Sequence, residues 1–407
     1  MIGALYIHIP FCVRRCAYCA FPTMACSDGA LMDSYVGSLE LALRRAAKAG
    51  LLGGVKTVYI GGGTPSYLGS RRLESLLYTI SLSVDVSGVG EFTVEANPDS
   101  LSAPMVRDLY ALGVDRMSLG VQSFDDDVLG VYGRVHDAAR ARQAIADVTE
   151  RFDDFSIDLI CGGPGQSMES WEESLAEAVS SGATHVSVYP LMLEEGTPLA
   201  RSVAEGRLAA PDDDVEADMM LKARDVLEAA GMRRYETASY AYPGHEAKHN
   251  CAYWSGVEYL GLGAGASSML SPEDFAACRE AGLFGEARGE DGSPLGGKLP
   301  GSCSRVRVTA AFDASAFASS TGRAAADVEC LSEREAALED AMLGMRRSEG
   351  ISEELVERAS RLVPELYGEL SRLEDLGLVV HEKGRFAPTE RGWLCGNEIF
   401  GAIWGLA

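Results

Sequence analysis

Short apolar runs alternate with amphipathic stretches along the first half of the chain. The apolar, β-rich runs are ALYIHI (4–9), KTVYIG (56–61), EFTVEA (91–96), DRMSLGVQ (115–122), FSIDLI (155–160) and THVSVYP (184–190). The stretches between them carry apolar residues at helical spacing, at 31–49, 71–82, 101–112, 137–150 and 168–181. Such alternation predicts right-handed β-α-β units around a parallel sheet. Six units without an evident closing pair predict an α/β fold with a partial (β/α)6 barrel.

The remainder of the chain predicts a further helix, an insertion and a second domain. Residues 211–230 predict a helix capped by the acidic run at 212–214. Residues 271–305 contain seven glycines and three prolines, which predicts a flexible loop or insertion. The tail LEDLGLVVHEKGRFAPTERG predicts a small hairpin after helices, as in a winged-helix-like α+β domain. We therefore predict a barrel with an adjoining α/β segment at 1–270, a Gly-rich insertion and connector at 271–329, and the C-terminal domain at 330–407.

The charge balance restricts the classes of partner. The 407 residues include 60 acidic and 36 basic side chains, for a net charge of −24. An acidic surface repels phosphate backbones, so nucleic acid is not an expected partner. No run approaches the ~20 apolar residues that span a bilayer, and MIGALYIHIPFC lacks the pattern of a signal peptide. We expect a cytoplasmic protein, which leaves open a weak peripheral membrane association.

Three cysteines share one short loop after the first predicted strand, with the spacing Cys12-x3-Cys16-x2-Cys19. Three thiolates can hold three irons of a 4Fe–4S cube and leave the fourth iron open. That iron can bind the amino and carboxylate groups of S-adenosylmethionine, and one-electron reduction can then generate a deoxyadenosyl radical. The alternative, structural zinc, normally takes four ligands with paired spacings, and Cys26 is the only further thiol nearby. The spacing therefore favours a cluster.

Polar residues stand near the ends of the next strands. The second predicted strand runs into the glycine turn GGGTP (61–65), where exposed backbone N–H groups can approach a ligand. Glu95, Gln122 and Asp158 lie at or near the ends of the third, fourth and fifth strands, and Arg134 offers a carboxylate partner. Any one of them could be a satisfied core polar group or a helix cap. Together they predict a cleft at the carboxyl ends of the strands.

The motifs that carry these residues resemble a known family. YIHIPFCVRRCAYC, GGGTPS, VEANPDS, MSLGVQSFDDDVLGVYGRVH and IDLICGGPGQS resemble the oxygen-independent coproporphyrinogen III oxidase-like family of radical-SAM proteins. The resemblance covers nearly the whole chain outside residues 271–305. It implies a 4Fe–4S cluster on Cys12, Cys16 and Cys19. It also implies binding of S-adenosylmethionine by Tyr6, Tyr18, Gly62, Gly63, Thr64, Glu95, Gln122, Arg134 and Asp158. It leaves the catalytic residues unassigned.

The family contains oxidases, which decarboxylate porphyrinogen propionates, and heme chaperones of the HemW type. The oxidases continue the cysteine motif with a further cysteine and have an N-terminal extension ahead of the position of Tyr6. Here Ala20 and Phe21 follow Cys19, and the segment HNCAYW (249–254) resembles the HNxxYW motif of the chaperones. These features favour a heme chaperone that delivers heme to an acceptor hemoprotein and takes electrons from an unidentified donor. The alternatives are a coproporphyrinogen III oxidase and, third, a radical methyltransferase or another small-molecule enzyme.

His249 is the candidate heme ligand, because a neutral imidazole is a good axial ligand of heme iron. Tyr253 and Trp254 could stack on a porphyrin face. The alternative is that the histidine caps a loop and the aromatic residues fill the core. One residue departs from the family pattern: Ser267 stands where the chaperones typically have a histidine, which weakens the prediction of a heme pocket on that side.

Overall fold

The computed structural model describes residues 1–289, 292–295 and 299–407. The strands of the first half are β1 (Ala4–Ile9), β2 (Phe11–Cys12), β3 (Met24–Ala25), β4 (Thr57–Gly62), β5 (Glu91–Ala96), β6 (Arg116–Gln122), β7 (Phe155–Cys161) and β8 (His185–Pro190). Strands β1, β4, β5, β6, β7 and β8 lie side by side in that order and are all parallel. All six are the predicted strands to within one residue at each end, and β1 and β5 match their predicted bounds.

Helices connect these strands and cover the outer face of the sheet. They are α1 (Gly29–Lys48), α2 (Ser70–Ser83), α3 (Ala103–Ala111), α4 (Asp126–Tyr132), α5 (Ala138–Thr149) and α6 (Met168–Ser180). Short 3-10 turns occupy Pro65–Leu68 and Val86–Gly88. Because these strands are all parallel, the loops that follow them all lie at the same end of the barrel. The buried apolar faces of helices and strands form one continuous core. The predicted partial barrel is therefore confirmed.

The second half of the chain extends the sheet at both ends. Its elements are α7 (Pro198–Ala204), α8 (Asp213–Ala229), β9 (Arg233–Arg234), β10 (Ser239–Ala241), α9 (Lys248–Trp254), β11 (Tyr259–Leu262), β12 (Ser267–Leu270), α10 (Pro272–Glu280), β13 (Phe284–Arg288), β14 (Arg305–Ala310), α11 (Ala314–Ser319) and β15 (Ala324–Leu331). Strands β10 and β9 add beyond β8, while β11, β12, β14, β15 and β13 add beyond β1. The predicted helix at 211–230 is α8, and Asp212 caps it by accepting from the backbone N of Asp214 and Val215.

Most of residues 271–288 form a helix and a strand and not the loop that the glycine content predicts. Ser271 caps α10, and Pro272 occupies its first helical position, where a missing N–H costs nothing. Gly282 follows the helix with φ +68°, a conformation that favours glycine at a helix end. Strand β13 then pairs with β15 in the main sheet. Residues 290–291 and 296–298 of the predicted insertion lie outside the described residues.

The C-terminal region has a hydrophobic core of its own. It contains α12 (Glu333–Gly344), β16 (Ile351–Ser352), α13 (Glu353–Ser360), α14 (Leu366–Asp375), β17 (Val379–Glu382), β18 (Arg385–Pro388), α15 (Glu390–Leu394) and α16 (Gly396–Trp404). The three strands form a small antiparallel sheet that includes the predicted hairpin. This confirms the winged-helix-like α+β domain. The domain limits predicted at residues 270 and 329 stay predictions.

Within the described ranges, none of the helices combines the length and the apolar character that a membrane crossing requires.

Candidate cofactor site

The cysteine loop lies at the carboxyl end of the parallel strands and is held by backbone contacts. Cys12 ends β2, and Cys16 and Cys19 lie in the following turn. The backbone N of Ala17 donates to the carbonyl of Tyr132, at the end of α4 (2.9 Å). Arg15 Nε donates to the carbonyl of Cys19 (3.0 Å), which closes the loop on itself. The loop therefore has a defined conformation although much of it is exposed.

Two of the three sulfurs accept hydrogen bonds from neighbouring loops. Thr64 Oγ1 donates to Cys12 Sγ over 3.4 Å, and Arg134 Nη1 donates to Cys16 Sγ over 3.3 Å. The pKa of Cys12 is raised to about 11, chiefly by burial and to a smaller extent by the nearby Cys19 and Cys16, while Thr64 and Arg134 act in the opposite direction. Three thiolates this close need a positive partner, which a metal cluster would supply.

The donor set fits an iron–sulfur cluster. The ten cysteines, all of which lie in the described ranges, are free thiols, and the three in the loop are half-buried. In the described part of the chain, no group of three His, Cys, Asp or Glu side chains is placed to hold one metal ion. A 4Fe–4S cluster does not require such convergence, because each thiolate binds a different iron. Free thiols from one loop can therefore hold a cluster.

The glycine turn after β4 leaves no space for side chains. Gly62 has φ +116°, and a Cβ there would lie 2.5 Å from Cε1 of the His8 ring. A Cβ on Gly63 would lie 3.0 Å from Cys12 Sγ. The backbone N of Gly62 donates to Glu95 Oε2 (3.0 Å), which joins this turn to the next strand. Glycine at both positions lets the turn lie against the cysteine loop.

Replacing Gly62 by alanine is expected to lower the free energy of unfolding by about 1–3 kcal/mol, because the residue needs a left-handed backbone conformation. The methyl group would also overlap the His8 ring. Urea unfolding of the apoprotein would measure this. Gly130→Ala is the matched control, since its added methyl group meets open space within α4. A midpoint for Gly62→Ala equal to that of the parent protein would contradict the packing described.

Glu95 is a partly buried carboxylate that faces the barrel interior. It accepts from Tyr59 Oη (2.7 Å) in addition to the Gly62 N–H. Burial raises its pKa to about 7, and the two hydrogen bonds oppose that rise. A carboxyl group of this kind can receive amino or hydroxyl groups of a ligand when it is ionised.

The remaining polar residues predicted at strand ends also face the barrel interior. Asp158 accepts from Ser118 Oγ (3.1 Å) and Ser156 Oγ (3.4 Å), and burial raises its pKa. Gln122 ends β6 with φ +70°, an uncommon conformation for a residue with a side chain. Glu95 and Gln122 therefore lie at the carboxyl ends of β5 and β6, as predicted, whereas Asp158 lies in the middle of β7.

The two predicted tyrosines have different surroundings. Tyr6 Oη hydrogen-bonds His8 Nδ1 (2.8 Å), and its ring packs on Tyr59 with centroids 6.2 Å apart. Tyr18 packs edge-on against Tyr132 at 5.5 Å, and burial raises its pKa. Tyr6 lies in the barrel wall and Tyr18 in the cysteine loop, so they approach the cleft from different sides.

His249 is buried at the opposite end of the barrel from the cysteine loop, in helix α9. Its side chain is 1% exposed, Nδ1 hydrogen-bonds Thr57 Oγ1 (2.9 Å), and the ring stacks on Tyr59 at 5.0 Å. Nε2 is buried without a hydrogen-bond partner. Burial lowers the imidazole pKa to about 3, so the ring is neutral at physiological pH. Tyr253 packs edge-on against it at 4.7 Å.

A carboxylate from the barrel fixes the start of α9. Glu91, on β5, accepts from the backbone N–H of Lys248 (2.5 Å) and of His249 (3.2 Å). Because these two N–H groups belong to the first turn of the helix, Glu91 serves as a cap supplied from a distant strand. His249 is therefore held in place through both its side chain and its backbone.

Ser267 begins β12, in the extension of the sheet beyond β11. It borders a shallow cavity of about 330 Å³ together with Tyr259, Arg307, Thr309 and Asp327. Its hydroxyl lies 3.5 Å from Thr309 Oγ1. The side chain that departs from the family pattern is therefore exposed rather than buried.

Two site residues were not predicted from the sequence. Tyr59 bonds Glu95 and stacks on both Tyr6 and His249. Asn97 follows β5 and lies between Thr64 and Arg134. The inward-facing position of Tyr59 in the alternating run KTVYIG was a usable signal, whereas Asn97 precedes a proline and is typical of an ordinary turn.

Comparison with known proteins gives matches over the whole chain. The family model for the Radical SAM superfamily matches residues 6–178, and that for the HemN C-terminal domain matches residues 331–395. The heme chaperone HemW of Bacillus subtilis (strain 168) is 34% identical over 405 residues, covering 98% of each chain. That of Lactococcus lactis subsp. lactis (strain IL1403) is 32% identical over 98% of this chain and 96% of the relative. The solved coproporphyrinogen III oxidase (HemN) of Escherichia coli superposes with a TM-score of 0.76 at 20% identity, covering 99% of this chain and 90% of that one.

Proposed function

Since this chain belongs to the HemW family within the radical-SAM superfamily, we propose that it is a heme chaperone that binds heme and delivers it to acceptor hemoproteins. Membership of the superfamily implies a 4Fe–4S cluster and S-adenosylmethionine. The resemblance seen in the sequence motifs is thereby confirmed. The similarity to the Escherichia coli oxidase concerns the fold alone, at 20% identity.

Cys12, Cys16 and Cys19 would hold the cluster. The observation that carries this assignment is one loop with three free, half-buried thiols, two of which accept hydrogen bonds from Thr64 and Arg134. Such donors stabilise thiolates in the charged form that binds metal. When bound, a cluster of this kind supplies an open iron for S-adenosylmethionine and a one-electron redox couple.

The polar end of the barrel would bind S-adenosylmethionine. Glu95 would receive its amino or hydroxyl groups, while the backbone of Gly62 and Gly63 lies close enough to the cysteine loop to line the same cleft. Thr64 faces Cys12 from that turn. The complete set that we assign to the cofactor is Tyr6, Tyr18, Gly62, Gly63, Thr64, Glu95, Gln122, Arg134 and Asp158. Of these, Arg134 also contacts Cys16, so it would serve both cofactors.

His249 would ligate heme iron through Nε2. The ring is neutral, and Nε2 is buried without a hydrogen-bond partner. In the tautomer in which Nδ1 donates to Thr57 Oγ1, the lone pair of Nε2 is free for a metal. In the structure described here the ring is covered by Tyr59 and Tyr253, so ligation requires α9 to move. The aromatic rings that cover it are of a kind that can pack on a porphyrin face.

The cellular setting that we propose follows the charge and composition of the chain. The acidic surface disfavours nucleic acid as a partner. We propose that the protein is cytoplasmic and that it can associate weakly with a membrane. We also propose that an electron donor reduces the cluster.

A heme-transfer experiment tests this function. Anaerobically reconstituted protein mixed with heme is expected to give a stable Soret band, and the heme should then move to an added apo-cytochrome. Lack of a heme complex, together with release of carbon dioxide from coproporphyrinogen III, would instead place the chain with the oxidases.

Replacing His249 by alanine is expected to weaken heme binding and to shift the Soret maximum, because the axial nitrogen would be lost. Heme titration of both proteins with equal cluster content would measure this. His245→Ala is the matched control, since that histidine is partly exposed and lies beside Asp154. Equal affinity and identical spectra for His249→Ala and the parent protein would remove His249 from the ligand role.

A further inference from the structure

Asn97 lies in the turn after β5 and bridges two residues that contact the cysteine loop. Its Nδ2 donates to Thr64 Oγ1 over 2.9 Å, and its Oδ1 accepts from Arg134 Nη2 over 2.8 Å. Thr64 in turn donates to Cys12 Sγ, and Arg134 donates to Cys16 Sγ. A single amide group thus links the hydrogen bonds of two sulfurs that lie in different parts of the loop.

The chemistry of the partners allows only one orientation of this amide. A guanidinium group is donor-only, so the Asn97 oxygen must face Arg134 and its nitrogen must face Thr64. The Thr64 hydroxyl has one hydrogen, and Asn97 occupies a lone pair of its oxygen. The hydroxyl hydrogen is therefore left for Cys12 Sγ. On the other side, the Asn97 and Gly120 oxygens both accept from Arg134 Nη2, which aims Nη1 at Cys16.

The backbone of Asn97 is itself fixed. Its N–H donates to Ser66 Oγ (3.2 Å), and its carbonyl accepts from Ser100 Oγ (3.2 Å). The two serine hydroxyls are joined to each other at 2.6 Å. Because both ends of the turn are held, the Cα of Asn97 is fixed at the position from which its amide reaches Thr64 and Arg134. Such preorganised support is how neighbouring residues orient the groups that contact a metal centre.

We propose that Asn97 is a positioning residue that orients the hydrogen bonds to Cys12 and Cys16 and thereby sets the reduction potential of the cluster. This inference rests on the proposal that these cysteines hold a 4Fe–4S cluster. Hydrogen bonds to the sulfurs stabilise the reduced form, which carries one more negative charge, so they raise the reduction potential. Losing the bridge therefore makes the cluster harder to reduce.

Anaerobic redox titration of the reconstituted protein, followed by electron paramagnetic resonance, tests this. Asn97→Ala is expected to shift the midpoint potential to more negative values while iron content and the unfolding midpoint change little. Asn97→Asp keeps the size of the side chain but cannot donate to Thr64 and adds a negative charge. It is expected to shift the potential in the same direction. If Asn97→Ala loses its cluster, Asn97→Asp supplies the measurement.

A double-variant cycle separates this role from a general structural one. The shift caused by Asn97→Ala should be smaller in a Thr64→Val background, because part of the effect of Asn97 passes through the Thr64 hydroxyl. Asn397→Ala, an exposed asparagine in α16, is the control and should leave the potential unchanged. Potentials equal to that of the parent in both Asn97 variants would overturn the role of Asn97 alone. Absence of any cluster in the parent protein would overturn the cofactor proposal instead.

Discussion

Replacing Cys16 by alanine is expected to abolish cluster binding, with iron content falling from about four atoms per chain to near zero. Two thiolates would then remain in the loop, and a cube held at only two corners is poorly retained. The Arg134 guanidinium would also lose its sulfur partner. Iron and sulfide analysis of anaerobically reconstituted protein, together with its visible absorption, would measure the loss. Cys12→Ala and Cys19→Ala should give the same result.

The control for this prediction is Cys26→Ala. Cys26 is buried close to the loop, and its backbone N donates to the carbonyl of Cys12 (3.1 Å). Its Sγ contacts the carbonyl of Asp28 rather than the other thiols. Cluster content should therefore survive this substitution. Retention of the parent spectrum after all three loop cysteines are replaced would show that the cluster is held elsewhere or does not form.

Replacing Glu95 by glutamine is expected to weaken binding of S-adenosylmethionine about 10- to 100-fold, because a hydrogen bond to a charged group contributes about 1.5–3 kcal/mol. Glutamine keeps the size of the side chain, so packing against Tyr59 should change little. Isothermal titration of cluster-loaded protein would measure the affinity. Equal affinity in the variant would show that the carboxylate does not contact the cofactor.

The raised pKa of Glu95 predicts that the affinity for S-adenosylmethionine depends on pH. Because burial raises its pKa to about 7, the carboxyl group is increasingly protonated as the pH falls below neutrality. Affinity for S-adenosylmethionine should then fall from pH 8 to pH 6 in the parent protein and vary less in Glu95→Gln.

The raised pKa of Glu95 means that the folded protein binds a proton that the unfolded chain releases. Between about pH 4.5 and pH 7, the Glu95 contribution to stability therefore decreases as the pH rises.

The parallel barrel could be predicted from the sequence because its signals are local. Runs such as EFTVEA and FSIDLI are apolar and bounded by turn residues, and both are strands in the structure. The loop predicted at 271–305 was wrong for the first part of that segment for a related reason. Pro272 and Gly282 mark the two ends of a helix there, whereas a count of prolines and glycines treats them as loop residues.

The contacts within the site were harder to predict. The cysteine spacing identifies the loop, but the donors to its sulfurs come from distant positions. Arg134 is 118 residues from Cys16, and Asn97 is 33 and 37 residues from its two partners. No local sequence pattern indicates contacts between residues that are so far apart in the chain. The burial of His249 against Thr57, 192 residues away, could not be predicted from the sequence for the same reason.

The cap that Glu91 provides to α9 has a consequence for cargo exchange. Uncovering His249 would break two N–H bonds to that carboxylate, at about 1.5–3 kcal/mol each. At that cost fewer than about one molecule in a hundred would be open without cargo, and the apparent affinity for cargo would be about 100-fold or more below the intrinsic affinity of the open form. If His249 takes the iron as proposed, closure of the helix would favour dissociation of the bound tetrapyrrole. The balance between retention of the tetrapyrrole and its release would then depend on Glu91, a single carboxylate on a barrel strand.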